Sequence, residues 1–109
     1  MVDPDAPSRS DPVTAQELHW VISNIPGNDV AKGRLTASYL MPTPPPGSGF
    51  HRYIILIYRQ NGPLTFSPSE SLLLETMRNK FDIRSFAKKH NLFGPIAGNF
   101  FNCQLRADY

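Results

Sequence analysis

The stretch Phe50–Gln60, FHRYIILIYRQ, decides the fold. From Tyr53 to Tyr58 it is an unbroken apolar run of Ile, Leu and Tyr, and such β-branched and aromatic residues pack better on a pleated surface than on a helix. The run predicts a central strand, buried on both faces. Asn61-Gly62-Pro63 ends it, and Leu64–Phe66 is expected to pair back as a short strand. Upstream, Gly47-Ser48-Gly49 forms a loop that enters the strand, and before it Pro42-Thr43-Pro44-Pro45-Pro46 must be extended and cannot donate backbone hydrogen bonds. That proline segment reads as the wall of a loop.

Further out, Leu35–Met41 is a weaker strand, and His19–Ile25 (HWVISNI) is a strand closed by Pro26-Gly27. Residues 1–17 read as loop because Pro4, Pro7 and Pro12 interrupt any ladder. On the other side, Ser69–Asn79 is either loop or short helix. Asp82–His90 has an N-cap residue, apolar Ile83, Phe86 and Ala87 at helical spacing and a basic end, which predicts a short amphipathic helix. Gly94-Pro95 breaks the chain, and Ala97–Leu105 resumes as a strand. The expected class is mainly β: an antiparallel, sandwich-like domain with one or two short helices.

The bulk numbers agree with one small domain. A chain of 109 residues holds a single core, and 40% hydrophobic residues with twelve aromatics are too many for a disordered tail. Eleven prolines and seven glycines leave little room for long helices. The net charge is +2, with Lys and Arg scattered rather than gathered in a stripe, so nucleic acid is not an expected partner. One cysteine, Cys103, forms no intrachain disulfide and fits a reducing compartment. The start, MVDPDAPSRSDP, has no leader-like apolar segment, and no run reaches membrane-spanning length, so a cytoplasmic location is expected.

Three clusters carry chemistry. In Asp3-Pro4-Asp5-Ala6-Pro7-Ser8 the prolines stiffen a backbone bearing two carboxylates, which serves either a ligand or an ordinary solvated turn. His19-Trp20 opens a strand, where the imidazole is either a ligand contact or a packed ring. Gly47-Ser48-Gly49-Phe50-His51-Arg52-Tyr53 joins a loop whose amides can approach an anion to a strand on which His51 and Tyr53 share a face. The alternative for this cluster is a bulge glycine beside a half-buried strand. Arg52 faces the other way and reads as an internal partner for a carboxylate.

Taken in order, the D-P-D-A-P-S signature, the His19-Trp20 pair with Asn24-Ile25-Pro26-Gly27, and Gly49-Phe50-His51-Arg52-Tyr53 resemble the phosphatidylethanolamine-binding protein family, which includes the Raf kinase inhibitor proteins and plant flowering-time regulators. The tail, Phe81–Gln104, resembles the closing helix and strand of that family. The resemblance implies an antiparallel β domain with an anion pocket formed by Asp3, Pro7, His19, Pro45, His51 and Tyr53. Gly47 and Gly49 would shape its loop, and Asp5 with Arg52 would be a structural pair. It further implies a non-enzymatic module without cofactor or metal that binds phosphate or phospholipid headgroups and regulates kinase or protease partners.

The chain departs from the family in places. Many animal members carry a second His where Leu18 stands, and Glu17 occupies the position that separates promoters from repressors of flowering among plant members. Family domains also extend upstream of the D-P-D signature and end with a further helix. Residues 1–109 are therefore expected to be a partial domain with unpaired sheet edges. Two rival readings are a metal-dependent hydrolase built on Asp3, Asp5, His19 and His51, and a protein-binding remnant with an inactive pocket.

Overall fold

The computed structural model describes residues 1–105. Six strands and two helices follow one another: β1 (Val2–Asp3), β2 (Glu17–Leu18), β3 (Val21–Ser23), β4 (Arg34–Ala37), β5 (His51–Arg59), α1 (Pro68–Thr76), α2 (Ile83–Lys89) and β6 (Phe93–Cys103), with one 3₁₀ turn at Val30–Lys32. The first sheet runs β2-β1-β5-β6 and the second pairs β3 with β4, all antiparallel. The mainly β class and the antiparallel sheet are as the sequence implies.

Cross-strand register explains how one face becomes core and the other a site. Val2 sits opposite both Leu18 and Ile54, while Asp3 sits opposite Glu17. Directly opposed residues share a face, and neighbours along a strand alternate. Val2, Leu18 and Ile54 therefore point to one side, where Leu74, Ala37, Val21, Phe66, Phe81 and Phe86 join them in the apolar core. Asp3, Glu17, His51 and Tyr53 belong to the opposite side.

Several expectations change. β1 lies within residues 1–17: the prolines begin only at Pro4, so Val2 and Asp3 are free to pair on both edges. The strand expected at His19–Ile25 shortens to Val21–Ser23, preceded by β2 at Glu17–Leu18 in the other sheet, because the chain passes between sheets at His19. There the backbone amide donates to Met1 O at 2.8 Å and the carbonyl accepts from Leu40 N–H at 2.8 Å. β5 is not buried on both faces. His51 and Tyr53 are buried, yet Ile55 and Ile57 on the same face are exposed, since among the described residues nothing packs over that end. Leu64–Phe66 forms no strand. The side chain of Asn24 takes both backbone groups of Leu64, accepting from its N–H at 2.7 Å and donating to its carbonyl at 2.9 Å, so no ladder partner is needed.

Ser69–Asn79 resolves into α1, started by Ser67, whose hydroxyl accepts from Glu70 N–H, and by Pro68 in the first turn. Asp82 caps α2 by accepting from the amides of Arg84 and Ser85, as its sequence position predicts. β6 runs through Gly94-Pro95 rather than beginning after it. A proline is tolerated there because β6 is an edge strand, with one side of its backbone outside the ladder.

Candidate functional site

Asp3, His19, His51 and Tyr53 converge, each only 1% exposed. Asp3 is fixed from two directions: Oδ1 accepts from Asp5 N–H at 2.7 Å, and Oδ2 lies 2.7 Å from His51 Nδ1. The other ring nitrogen of His51, Nε2, is 2.8 Å from Ser48 Oγ. Ser48 has one hydroxyl proton, and it goes to Pro45 O at 2.7 Å, an atom that can only accept. Ser48 Oγ therefore offers only lone pairs to the imidazole, and His51 Nε2 is the donor in that contact. The result is a chain of hydrogen bonds from the buried carboxylate through the ring to the glycine-rich loop.

The loop needs its glycines. Gly47 and Gly49 have φ of +75° and +79°, a region that side chains with a Cβ adopt only at a cost. These angles fold the turn in which Ser48 N–H donates to Pro45 O at 3.1 Å, and so aim the hydroxyl at His51. Pro45 itself is exposed and contributes its carbonyl; the buried proline of the run is Pro44. Pro7 is exposed on the turn after buried Ala6, away from any recorded polar contact with the cluster.

Tyr53 is the floor of the site. Its ring meets His19 edge-on at 5.1 Å between centroids and lies nearly parallel to His51 at 6.3 Å, with Phe101 stacked at 5.4 Å. Burial above all, and then the charge of Asp3, pushes the phenol well above its ordinary range. Tyr53 is thus a neutral hydroxyl at any working pH.

Asp5 and Arg52 stand apart from the cluster as a bidentate pair. Arg52 Nε and Nη2 donate to the two carboxylate oxygens at 3.0 and 2.8 Å, and the Arg52 amide adds a third bond at 2.8 Å. The guanidinium hydrogen bonds hold the Asp5 carboxyl below its usual range. This contact ties the D-P-D turn to the first residues of β5, which keeps Asp3 against His51. It also removes Asp5 from any ligand set.

Glu17 is the residue that sequence reasoning left out of the site. Its carboxylate, that of Asp3 and one nitrogen of His19 offer three ligand atoms within 4.8 Å of one another. The signal was available, since Glu17 and His19 are two apart in extended chain and so share a face. His19 Nδ1 is 2.7 Å from Leu40 O and must be the donor there, which leaves Nε2 facing Glu17 Oε2 at 3.6 Å without a hydrogen-bond partner.

Two open hollows are present, neither lined by the side chains of the cluster. One, of about 400 Å³, lies between the proline run and the end of β6, with Met41, Pro42, Pro44, Cys103 and Leu105 among its walls. It adjoins the site through the pairing of Cys103 with His51. The second, of about 540 Å³, lies between β5 and α2, against Leu56, Tyr58, Arg84 and Lys88.

Comparison with known proteins adds an independent line. A family model described as phosphatidylethanolamine-binding protein matches residues 1–101. The chain is 39% identical over 102 residues to a Drosophila melanogaster protein named odorant-binding protein A5, covering 93% of this chain and 49% of the relative. It is 40% identical over 105 residues to the 26 kDa secreted antigen of Toxocara canis, covering 95% of this chain and 40% of that one. The chain therefore spans about half the length, or less, of these relatives. Among solved structures it matches the solution structure of CG7054 at 43% identity and a TM-score of 0.73, over 96% of this chain and 60% of the other. It also matches carboxypeptidase Y inhibitor, solved in complex with its cognate proteinase, at 28% identity and a TM-score of 0.69, over 93% and 55%. No helix among the described residues is long and apolar enough to cross a membrane.

Proposed function

Since the chain belongs to the phosphatidylethanolamine-binding protein family, we propose that it is a non-enzymatic module that takes a phosphate-type anion, such as a phospholipid headgroup, at His51 and acts on partners by occupancy. One observation carries this reading: Ser48 Oγ sits 2.8 Å from His51 Nε2 as an acceptor oxygen. A phosphoryl oxygen has the same role and the same preferred distance, and the glycine-rich loop can lift Ser48 away to admit it. The hollow beside the proline run, walled mostly by apolar side chains, is positioned for the hydrocarbon part of an amphiphile whose headgroup reaches the imidazole.

Regulation without turnover is supported by how the hydroxyl of Ser48 is used. Its proton is committed to a carbonyl rather than to a base, which is the opposite of an activated nucleophile. A proteinase partner is proposed by likeness to the inhibitor solved in complex with its proteinase, and a kinase partner by likeness to the family. A cytoplasmic site of action is supported by the single cysteine, while the secreted antigen among the relatives offers the alternative.

Titration with phosphorylethanolamine and with inorganic phosphate, followed by calorimetry, tests the site. Wild type should bind, and His51→Gln should lose about 1.5–3 kcal/mol, the worth of a charge-assisted hydrogen bond. Ser48→Ala should bind at least as tightly as wild type, because it removes the competing oxygen. Equal binding by His51→Gln and wild type would reject the assignment. Weaker binding of inorganic phosphate than of phosphorylethanolamine would favour the headgroup.

A further inference from the structure

We infer that Asp3, Glu17 and His19 form a binding site for one divalent transition-metal ion, with zinc the best match to the donor set. The site shares Asp3 and His19 with the pocket that the family resemblance implies, and differs from the anion reading in needing Glu17 rather than His51 and the glycine-rich loop.

The case begins with the unpartnered nitrogen. His19 is 1% exposed and spends its Nδ1 proton on Leu40 O, so Nε2 is buried with no hydrogen-bond partner. In the neutral ring that nitrogen presents a lone pair toward two carboxylates, an arrangement that is repulsive unless a cation stands between them. A proton on Nε2 is the simplest such cation. The spacing argues against it, since Glu17 Oε2 is 3.6 Å away, well beyond the usual 2.9–3.0 Å of an N–H···O bond. By contrast, bonds of about 2.0–2.1 Å in tetrahedral geometry separate two ligand atoms by roughly 3.3 Å.

The surroundings have the features of a prepared metal site. A ligating imidazole ordinarily donates its other N–H to a backbone carbonyl or carboxylate, which fixes both tautomer and ring orientation, and the Leu40 carbonyl does this for His19. Asp3 is likewise held by Asp5 N–H and by His51, yet each of its oxygens keeps a lone pair free. The three ligand atoms lie within 4.8 Å of one another. Glu17 is the one partly exposed donor of the three, its side chain 31% exposed. One nitrogen with two oxygens suits zinc, or more weakly manganese, better than calcium, which takes six or more oxygens.

The test uses zinc chloride alone, in a buffer free of phosphate and chelators. Calorimetry on the 109-residue chain should show one equivalent bound, and cobalt substitution should give the visible bands of a low-coordinate nitrogen–oxygen site. Glu17→Gln, at a partly exposed position, should melt like wild type without metal and bind zinc at least tenfold more weakly. Cys103→Ser should bind as wild type does. Absence of stoichiometric binding, or equal binding by Glu17→Gln, overturns the proposal, the latter because the metal would then sit elsewhere. Phosphorylethanolamine binding by metal-free protein reports separately on the anion site.

Discussion

At the scale of single residues, the Asp5–Arg52 pair bears most directly on stability. Asp5 is 2% exposed, and removing the Arg52 side chain leaves a buried carboxylate held only by the Arg52 backbone N–H. Breaking a buried ion pair typically costs about 3–5 kcal/mol, and Arg52→Ala belongs near the lower end, at about 3 kcal/mol, because the Arg52 side chain is 37% exposed. Urea denaturation checks this. The same pair sets part of the acid limb. With its folded value below the ordinary 3.8, Asp5 binds protons less readily in the native state than in the unfolded chain. Its contribution is therefore complete above about pH 4 and disappears as pH falls through the depressed value. Asp5→Asn should lower stability at pH 7 and flatten the decline below pH 4, as followed by melting temperature against pH. Much of this was readable in the sequence. Period-two alternation separates His51 and Tyr53 from Arg52, and a half-buried guanidinium facing the other side of the strand calls for a carboxylate. The place of Glu17 was harder to see, because its strand is only two residues long.

At the scale of elements, the long signals in the sequence survive and the short ones do not. β5 and α2 are named correctly because an apolar run and an N-cap with helical spacing are local properties. β1 is invisible to any periodicity argument, since two residues carry no period, and it exists only because both neighbours pair with it. The missing strand at Leu64 is a similar case, where a distant asparagine side chain replaces a ladder. For the loop that bears Ser48, conformation is the controlling variable. Gly47 has open space around its Cα, so a methyl group meets no obstacle, and only the positive φ opposes it. Gly47→Ala should cost about 1–2 kcal/mol in stability, or else relax the turn. In the second case the Ser48–His51 contact loosens, which would appear as a shifted His51 ring resonance by NMR.

Across the whole molecule, apolar surface is unevenly covered. The core is small, and β6 lies exposed along nearly its full length, with Phe93, Ile96 and Phe100 more than half accessible and Ile57 of β5 beside them. Exposed faces of this kind bind hydrophobic dyes and promote association, and an uncovered edge strand adds unpaired backbone groups. The chain should enhance the fluorescence of anilinonaphthalene sulfonate in native buffer and show concentration-dependent light scattering. A dye-silent, monodisperse sample would mean that this face is covered in solution. The sequence reading expected unpaired edges, though it placed the most exposed residues nowhere in particular, since burial of β5 was assumed on both sides.

The brevity of β1 has a last consequence. Val2 joins β2 to β5 while the adjacent Asp3 supplies the carboxylate that steadies His51. Peeling away that single dipeptide would part β2 from β5 and strip His51 of its carboxylate in the same event. The order of the buried cluster and the order of the sheet are thus bound to one latch.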